Sequence, residues 1–205
     1  ELLYKHLTEK GIDCRTVSFP DYEHPSSTLV KMYLAGEFGN KPGDVNAYAA
    51  STFYAVDRYA SFKKYWGEYY NAGGVVIAGR YVTSNAVHQN SKLPKEQWES
   101  FLDWLYDFEY KKMGIPAPDK VIFLDMPPEF ARMLMKKRMN KITGGEEKDI
   151  HERDKNHLDT SYNNAVSIAN YLNWERISCV FGENIRTREE ISEEIYKKVK
   201  MIIEN

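Results

Sequence analysis

The sequence is poor in cysteine, has no long apolar run and carries no surplus of either charge. Only two cysteines occur in 205 residues, Cys14 and Cys179, one in each half. They match no metal-binding spacing and read as two small buried hydrophobes in a reduced, cytoplasmic protein. No stretch approaches the roughly 18 apolar residues that a membrane span needs, and no secretory pattern opens the sequence, so no membrane partner is expected. Lysine and arginine number 28 against 30 acids, a formal net charge of −2. The basic excess of a nucleic-acid module is missing, and no nucleic-acid partner is expected. Repeats, low-complexity tracts and interdomain linkers are also lacking.

What is present is enough apolar material, 42% of residues, for one core and one domain over 1–205. ELLYKHLTEKG places Leu2, Leu3 and Leu7 on one helical face with a glycine stop at Gly11, and no capping residue precedes it. CRTVSF reads as a short strand ended by Pro20. SSTLVKMYLAGE predicts a helix capped at Ser26 or Ser27, with Leu29, Met32 and Tyr33 on one face. Helical pattern rich in aromatics covers Val45 to Tyr70. GGVVIAG and DKVIFLDM are continuous apolar runs and predict buried strands. PPEFARMLMKKRMNK, HLDTSYNNAVSIANYLN and TREEISEEIYKKVKMII predict helices, and ERISCVF predicts a last strand. Strands alternating with helices give a mostly parallel α/β sheet.

Four clusters carry possible chemistry. Arg80 leaves the VVIAG strand, where a five-donor guanidinium can grip phosphate, and Ser84, Asn85, His88 and Gln89 follow. If a helix begins near Ser84, then Asn85, His88 and Gln89 share one face. The plain alternative is that Ser84 only caps that helix and the rest is a solvated face. In STFYAVDRYASF, Tyr54 and Arg58 stand one turn apart, able to stack a planar base and bond its edge. The alternative there is an aromatic core stripe with a snorkelling arginine. Phe19 ends the CRTVSF strand and Tyr22 follows in a turn. Arg132, Lys136, Lys137, Arg138 and Lys141 crowd one helix end before Gly144 and Gly145, either as a solvated face or as a lid that closes over polyphosphate.

The order of these pieces is more specific than any one of them. A strand leading to F-P-x-Y, a helix with F-Y-x-x-D-R, a strand leading to R-Y-x-x-S-N-x-x-x-Q, then a basic segment before D-I-H-E resembles the thymidylate kinase family over essentially the whole chain. The resemblance implies a three-layer α/β fold of the P-loop nucleoside-monophosphate kinases. Its mostly parallel sheet is flanked by helices and carries a small basic lid at about 136–152. It implies transfer of the γ-phosphate of ATP, with Mg2+, to dTMP to give dTDP, commonly in a homodimer. Residue by residue, it implies that Tyr54 stacks on thymine, Arg58 bonds the thymine edge and Arg80 holds the dTMP phosphate. Ser84, Asn85 and Gln89 would complete the base pocket, His88 would face deoxyribose, and Phe19 and Tyr22 would line the sugar and phosphate. Arg138 with Arg132, Lys136, Lys137 and Lys141 would form the lid, with His151 and Glu152 at its closing edge, and Arg80 and Arg138 would be the catalytic pair.

Two departures accompany the resemblance. Gly79 stands where the family's D-R-Y motif has its aspartate, and no G-x-x-x-x-G-K-[ST] occurs in the 205 residues. In the family that loop and its strand lie just ahead of the helix matching ELLYKHL. Because that strand is central, the expectation is that the loop is absent from this sequence rather than from the working enzyme. The alternative is a dTMP-binding protein without catalysis.

Overall fold

The computed structural model describes residues 1–135 and 155–203. Helix α1, Leu2–Glu9, ends at Gly11, whose φ of 78° is open to glycine without strain. Strand β1, Cys14–Ser18, leads through a cis Phe19–Pro20 peptide into a loop and helix α2, Thr28–Ala35. Helix α3, Ala47–Ser61, is capped by Asn46, whose Oδ1 accepts the N–H of Ala49 at 2.9 Å. A π-helical turn, Phe62–Trp66, joins it to α4, Gly67–Asn71. Then come β2, Val75–Gly79, α5, Val82–His88, and α6, Trp98–Tyr106, which continues as a π-helical turn over Asp107–Lys112. Strand β3, Ile122–Asp125, precedes α7, Pro128–Met135, and α8, Lys155–Tyr171. The chain closes with β4, Glu175–Ser178, a hairpin of β5, Val180–Phe181, and β6, Asn184–Ile185, and α9, Arg188–Ile203. Thr187 and Glu190 cap α9 reciprocally, backbone N–H to side-chain oxygen in both directions.

The expected parallel pairing is present: β1 pairs with β2, Cys14 opposite Val75 through Ser18 opposite Gly79. Likewise β3 pairs with β4, Ile122 opposite Glu175 through Asp125 opposite Ser178. Among the described residues these are two separate sheets, and no strand links β2 to β3. That corrects one expectation. The runs VVIAG and VIFLD are not fully buried: Val75–Ile77 are half-buried, Ala78 and Gly79 exposed, and Leu124 exposed. Each strand has only one neighbour, so one long edge of its apolar surface goes uncovered among the described residues.

Three smaller readings are corrected by packing. ERISCVF divides at Cys179, because Val180 and Phe181 turn away to pair with Asn184 and Ile185. The buried face of α2 is Val30, Tyr33 and Leu34, while Leu29 is exposed. Ser27, at the head of α2, spends its hydroxyl on the carbonyl of His24 rather than on a cap.

Two apolar clusters make the core. Phe19, Trp66, Tyr81, Phe101, Leu105 and Ile115 form the larger, around the ends of β1 and β2 and helix α6. Val30, Tyr33, Leu34, Ala50 and Tyr54 form the smaller, between α2 and α3. Both cysteines are buried as expected, and burial pushes their thiols up.

Candidate functional site

At the carboxyl ends of β1 and β2 the chain leaves the sheet twice, through Phe19–Tyr22 and through Arg80–Ser84. A cavity of about 220 Å³ opens between these segments, along the seam where the two core clusters meet. It is lined by Phe19, Tyr22, Tyr54, Arg58, Arg80, Ser84, Asn85, His88 and Gln89, all nine residues singled out as a substrate pocket. They come from three stretches far apart in the chain, two of them brought together because both parallel strands end on the same side.

Helix α5 begins at Val82, two residues earlier than expected, so Ser84 lies inside its first turn and caps nothing. Ser84 Oγ instead accepts from Arg80 Nε at 3.3 Å. Asn85, His88 and Gln89 share one face of α5 and its continuation, and that face is turned to the cavity rather than to solvent. Arg80 has a φ of 69°, a left-handed conformation that is rare for a residue with a side chain.

Arg58 does not snorkel. It is 1% exposed, and its guanidinium donates Nε to Glu109 Oε2 at 2.7 Å and Nη2 to Glu109 Oε1 at 2.6 Å. Two charges can be buried together here because the fork satisfies the carboxylate in bidentate geometry. The Tyr54 ring meets Tyr33 edge-on, with centroids 6.4 Å apart, and Tyr33 in turn accepts a hydrogen bond from Lys92 Nζ at 2.8 Å. Beside the cavity Tyr81 donates its hydroxyl to Pro116 O at 2.9 Å, and burial pushes its phenol well up, so it stays neutral.

Arg132, expected in the lid, lies on α7 and donates Nη1 to Asp159 on α8 at 2.6 Å; it does not line the cavity. Lys136, Lys137, Arg138, Lys141, His151 and Glu152 lie outside the described residues. Pro20, Leu34, Tyr81, Met135 and Leu158 complete the wall and went unread in the sequence, as did Glu109 behind it. A signal for Glu109 existed. It falls on the stripe Phe101, Leu105, Glu109, four residues apart, so a charge sat where the helix was turning its apolar face inward.

Comparison with known sequences decides the family. The chain matches the thymidylate kinase family over residues 1–178. It belongs to the thymidylate kinase family. It is 29% identical over 145 residues to the thymidylate kinase of Mycobacterium tuberculosis, in both strain CDC 1551 / Oshkosh and strain H37Rv. It is 28% identical over 137 residues to the thymidylate kinase of Caenorhabditis elegans. The match takes in 70% of this chain and 66% of each mycobacterial relative, and 64% and 56% for the nematode one, so the chain spans about two thirds or less of the curated relatives it matches. Membership carries the P-loop nucleoside-monophosphate kinase fold class, with which the parallel strand pairs and covering helices agree.

A magnesium ion that rides on phosphate oxygens needs one or two protein carboxylates. Position 79, beside Arg80, offers no such carboxylate, and among the described residues no three His, Cys, Asp or Glu side chains converge as a metal set. No helix of the described residues is long and apolar enough to cross a membrane.

Proposed function

We propose that the cavity binds dTMP and that the protein transfers the γ-phosphate of ATP to it, giving dTDP. One observation carries this reading: an aromatic face at Tyr54, a buried cation at Arg58 and an arginine fork at Arg80 open onto one cavity at the strand ends. In this reading Tyr54 stacks on thymine and Arg58 bonds its edge, with Ser84, Asn85 and Gln89 around the base and His88 against deoxyribose. Phe19 and Tyr22 line the sugar and phosphate, and Arg80 holds the phosphate. Arg138, with Lys136, Lys137 and Lys141 and with His151 and Glu152 at the edge, closes over ATP. Such a site works by positioning and by neutralising charge, since phosphoryl transfer asks little covalent chemistry of the protein. Mg2+ enters as the companion of ATP, and none of its protein ligands is assigned to the described residues.

A homodimer through α3 is part of the proposal, supported by Tyr48, Val56 and Tyr59, which stand exposed along that helix. Sedimentation of the protein and of Val56→Glu tests it, with a monomeric parent protein as the contrary result. Two buried free thiols suit a reducing cytoplasm.

The deciding experiment is ADP release with dTMP, dGMP and AMP as acceptors, paired with direct dTMP binding. Turnover with dTMP alone supports the proposal. Binding of dTMP without ADP formation leaves a nucleotide-binding protein, and preference for dGMP or AMP makes it a kinase of another monophosphate.

A further inference from the structure

We propose that Glu109, which lines no part of the cavity, sets the donor–acceptor polarity with which the cavity reads a pyrimidine base. The inference rests on the reading of the cavity as a pyrimidine nucleotide site, and makes Glu109 a positioning residue acting through Arg58 and Asn85.

Glu109 sits on the π-helical turn after α6 and is 0% exposed. Its carboxylate accepts two of the five N–H donors of Arg58, one on Nε and one on Nη2. The remaining three lie on Nη1 and Nη2. A guanidinium cannot accept, so at the cavity wall Arg58 offers donors only.

The same carboxylate orients the neighbouring amide. Asn85 Nδ2 donates to Glu109 Oε1 at 3.5 Å and to Ser51 O at 3.2 Å. With both amide hydrogens drawn toward those oxygens, Asn85 is left with Oδ1, an acceptor. Asn85 and Arg58 both line the cavity, which therefore presents a donor group and an acceptor group anchored to one buried carboxylate.

That pair matches the edge of a pyrimidine bearing a carbonyl at C4 and a hydrogen on N3. Arg58 donates to the carbonyl, and Asn85 Oδ1 accepts the N3 hydrogen. Cytosine presents the reverse, an amino donor at C4 and a bare acceptor at N3, so both contacts fail together and leave buried polar groups unpaired. Uracil passes the same test as thymine, because the C5 methyl takes no part in it. Without the carboxylate, Arg58 is free to swing and Asn85 keeps only its contact to Ser51 O, so the polarity is less firmly set.

The test is Glu109→Gln, which keeps the shape and removes the charge, with binding of dTMP, dUMP and dCMP measured by calorimetry beside the unaltered protein. The expected result is a dTMP-over-dCMP preference that falls roughly tenfold or more, with dUMP following dTMP and ATP binding unchanged. Glu109→Asp, which retains the charge, recovers part of the preference. Equal weakening of dTMP and dCMP, or no change in either, overturns the proposal and leaves only an ion pair joining α3 to α6. If Glu109→Gln does not fold, Glu109→Asp, which keeps the charge and draws the carboxylate back from Asn85, is measured in its place. It is expected to lower the preference part of the way, and an unchanged preference overturns the proposal. Failure of the unaltered protein to bind dTMP overturns the functional reading and this one with it. Binding with an unchanged ratio overturns this one alone.

Discussion

Asp57 Oδ2 accepts the backbone N–H of Asp21 at 2.8 Å, across 36 residues of chain. Its Oδ1 accepts the hydroxyl of Ser26 at 2.7 Å, and Asp57 is fully buried on α3. A helix residue one position from Arg58 therefore holds the loop that carries Tyr22 into the cavity wall. Asp57→Asn turns one of these acceptors into a donor facing a donor. Thermal unfolding should show a loss of about 1.5–3 kcal/mol, the range for bonds to a charged acceptor. The KM for dTMP should rise several-fold with a smaller change in kcat; an unaltered melting temperature would remove Asp57 from this role.

Arg80 combines a left-handed backbone with a side chain on the cavity. Arg80→Ala keeps the strain and deletes the fork, whereas Arg80→Gly deletes both. Both variants should lose most phosphoryl transfer to dTMP. Arg80→Gly should nevertheless be the more stable of the two by up to about 1 kcal/mol, because glycine adopts this φ freely. Steady-state rates and denaturant midpoints on the same preparations check both halves. Full turnover by either variant would take Arg80 out of the site.

Gly79 is a glycine without a steric need for one. A Cβ built there would meet Ser18 Oγ and Val17 O at 3.6 Å, ordinary contact distances, and the backbone is not left-handed. Gly79→Asp should therefore fold with stability changed by less than about 1 kcal/mol. It should also add a carboxylate at the strand end beside Arg80, and ADP release should become more dependent on Mg2+. Misfolding of Gly79→Asp would contradict the geometry.

Lys92 is largely buried, donating Nζ to Tyr33 Oη at 2.8 Å and to Val45 O at 3.1 Å, and burial lowers its amine to about 7. The folded pKa lies below the unfolded value of roughly 10.4, so between these limits the unfolded chain binds more protons. The contribution of Lys92 to stability is then fully present above the unfolded pKa and is lost as pH falls through about 7. Lys92→Met should flatten the pH dependence of stability between about 7 and 10 by up to ~1.4 kcal/mol per pH unit. Equal slopes for the two proteins in chemical denaturation would show that Lys92 is not neutral when folded.

Much of the site was legible because it depends on local order. Strand ends followed by F-P-x-Y and R-Y-x-x-S-N, and an aromatic one turn from an arginine, are patterns of neighbours along the chain. Helix positions such as α9, with its threonine cap, and the burial of Cys14 and Cys179 follow from periodicity and side-chain chemistry in the same way. The resemblance to the thymidylate kinase family, carried by the order of these pieces, singled out the nine residues that the structure gathers around the cavity.

Tertiary structure decided the states of those residues. Whether Arg58 snorkels or is buried depends on a carboxylate 51 residues away, and nothing near Arg58 in the chain reports it. Ser84 became a partner of Arg80 rather than a cap because α5 starts at Val82, a boundary set by how the chain leaves β2. The half-exposure of VVIAG came from how many strands lie beside it, not from its apolar composition. Composition and spacing fix which groups are available and which face of an element they share. Only packing between distant segments fixes which partner each buried charge or amide finally meets, because that depends on contacts made across the whole fold.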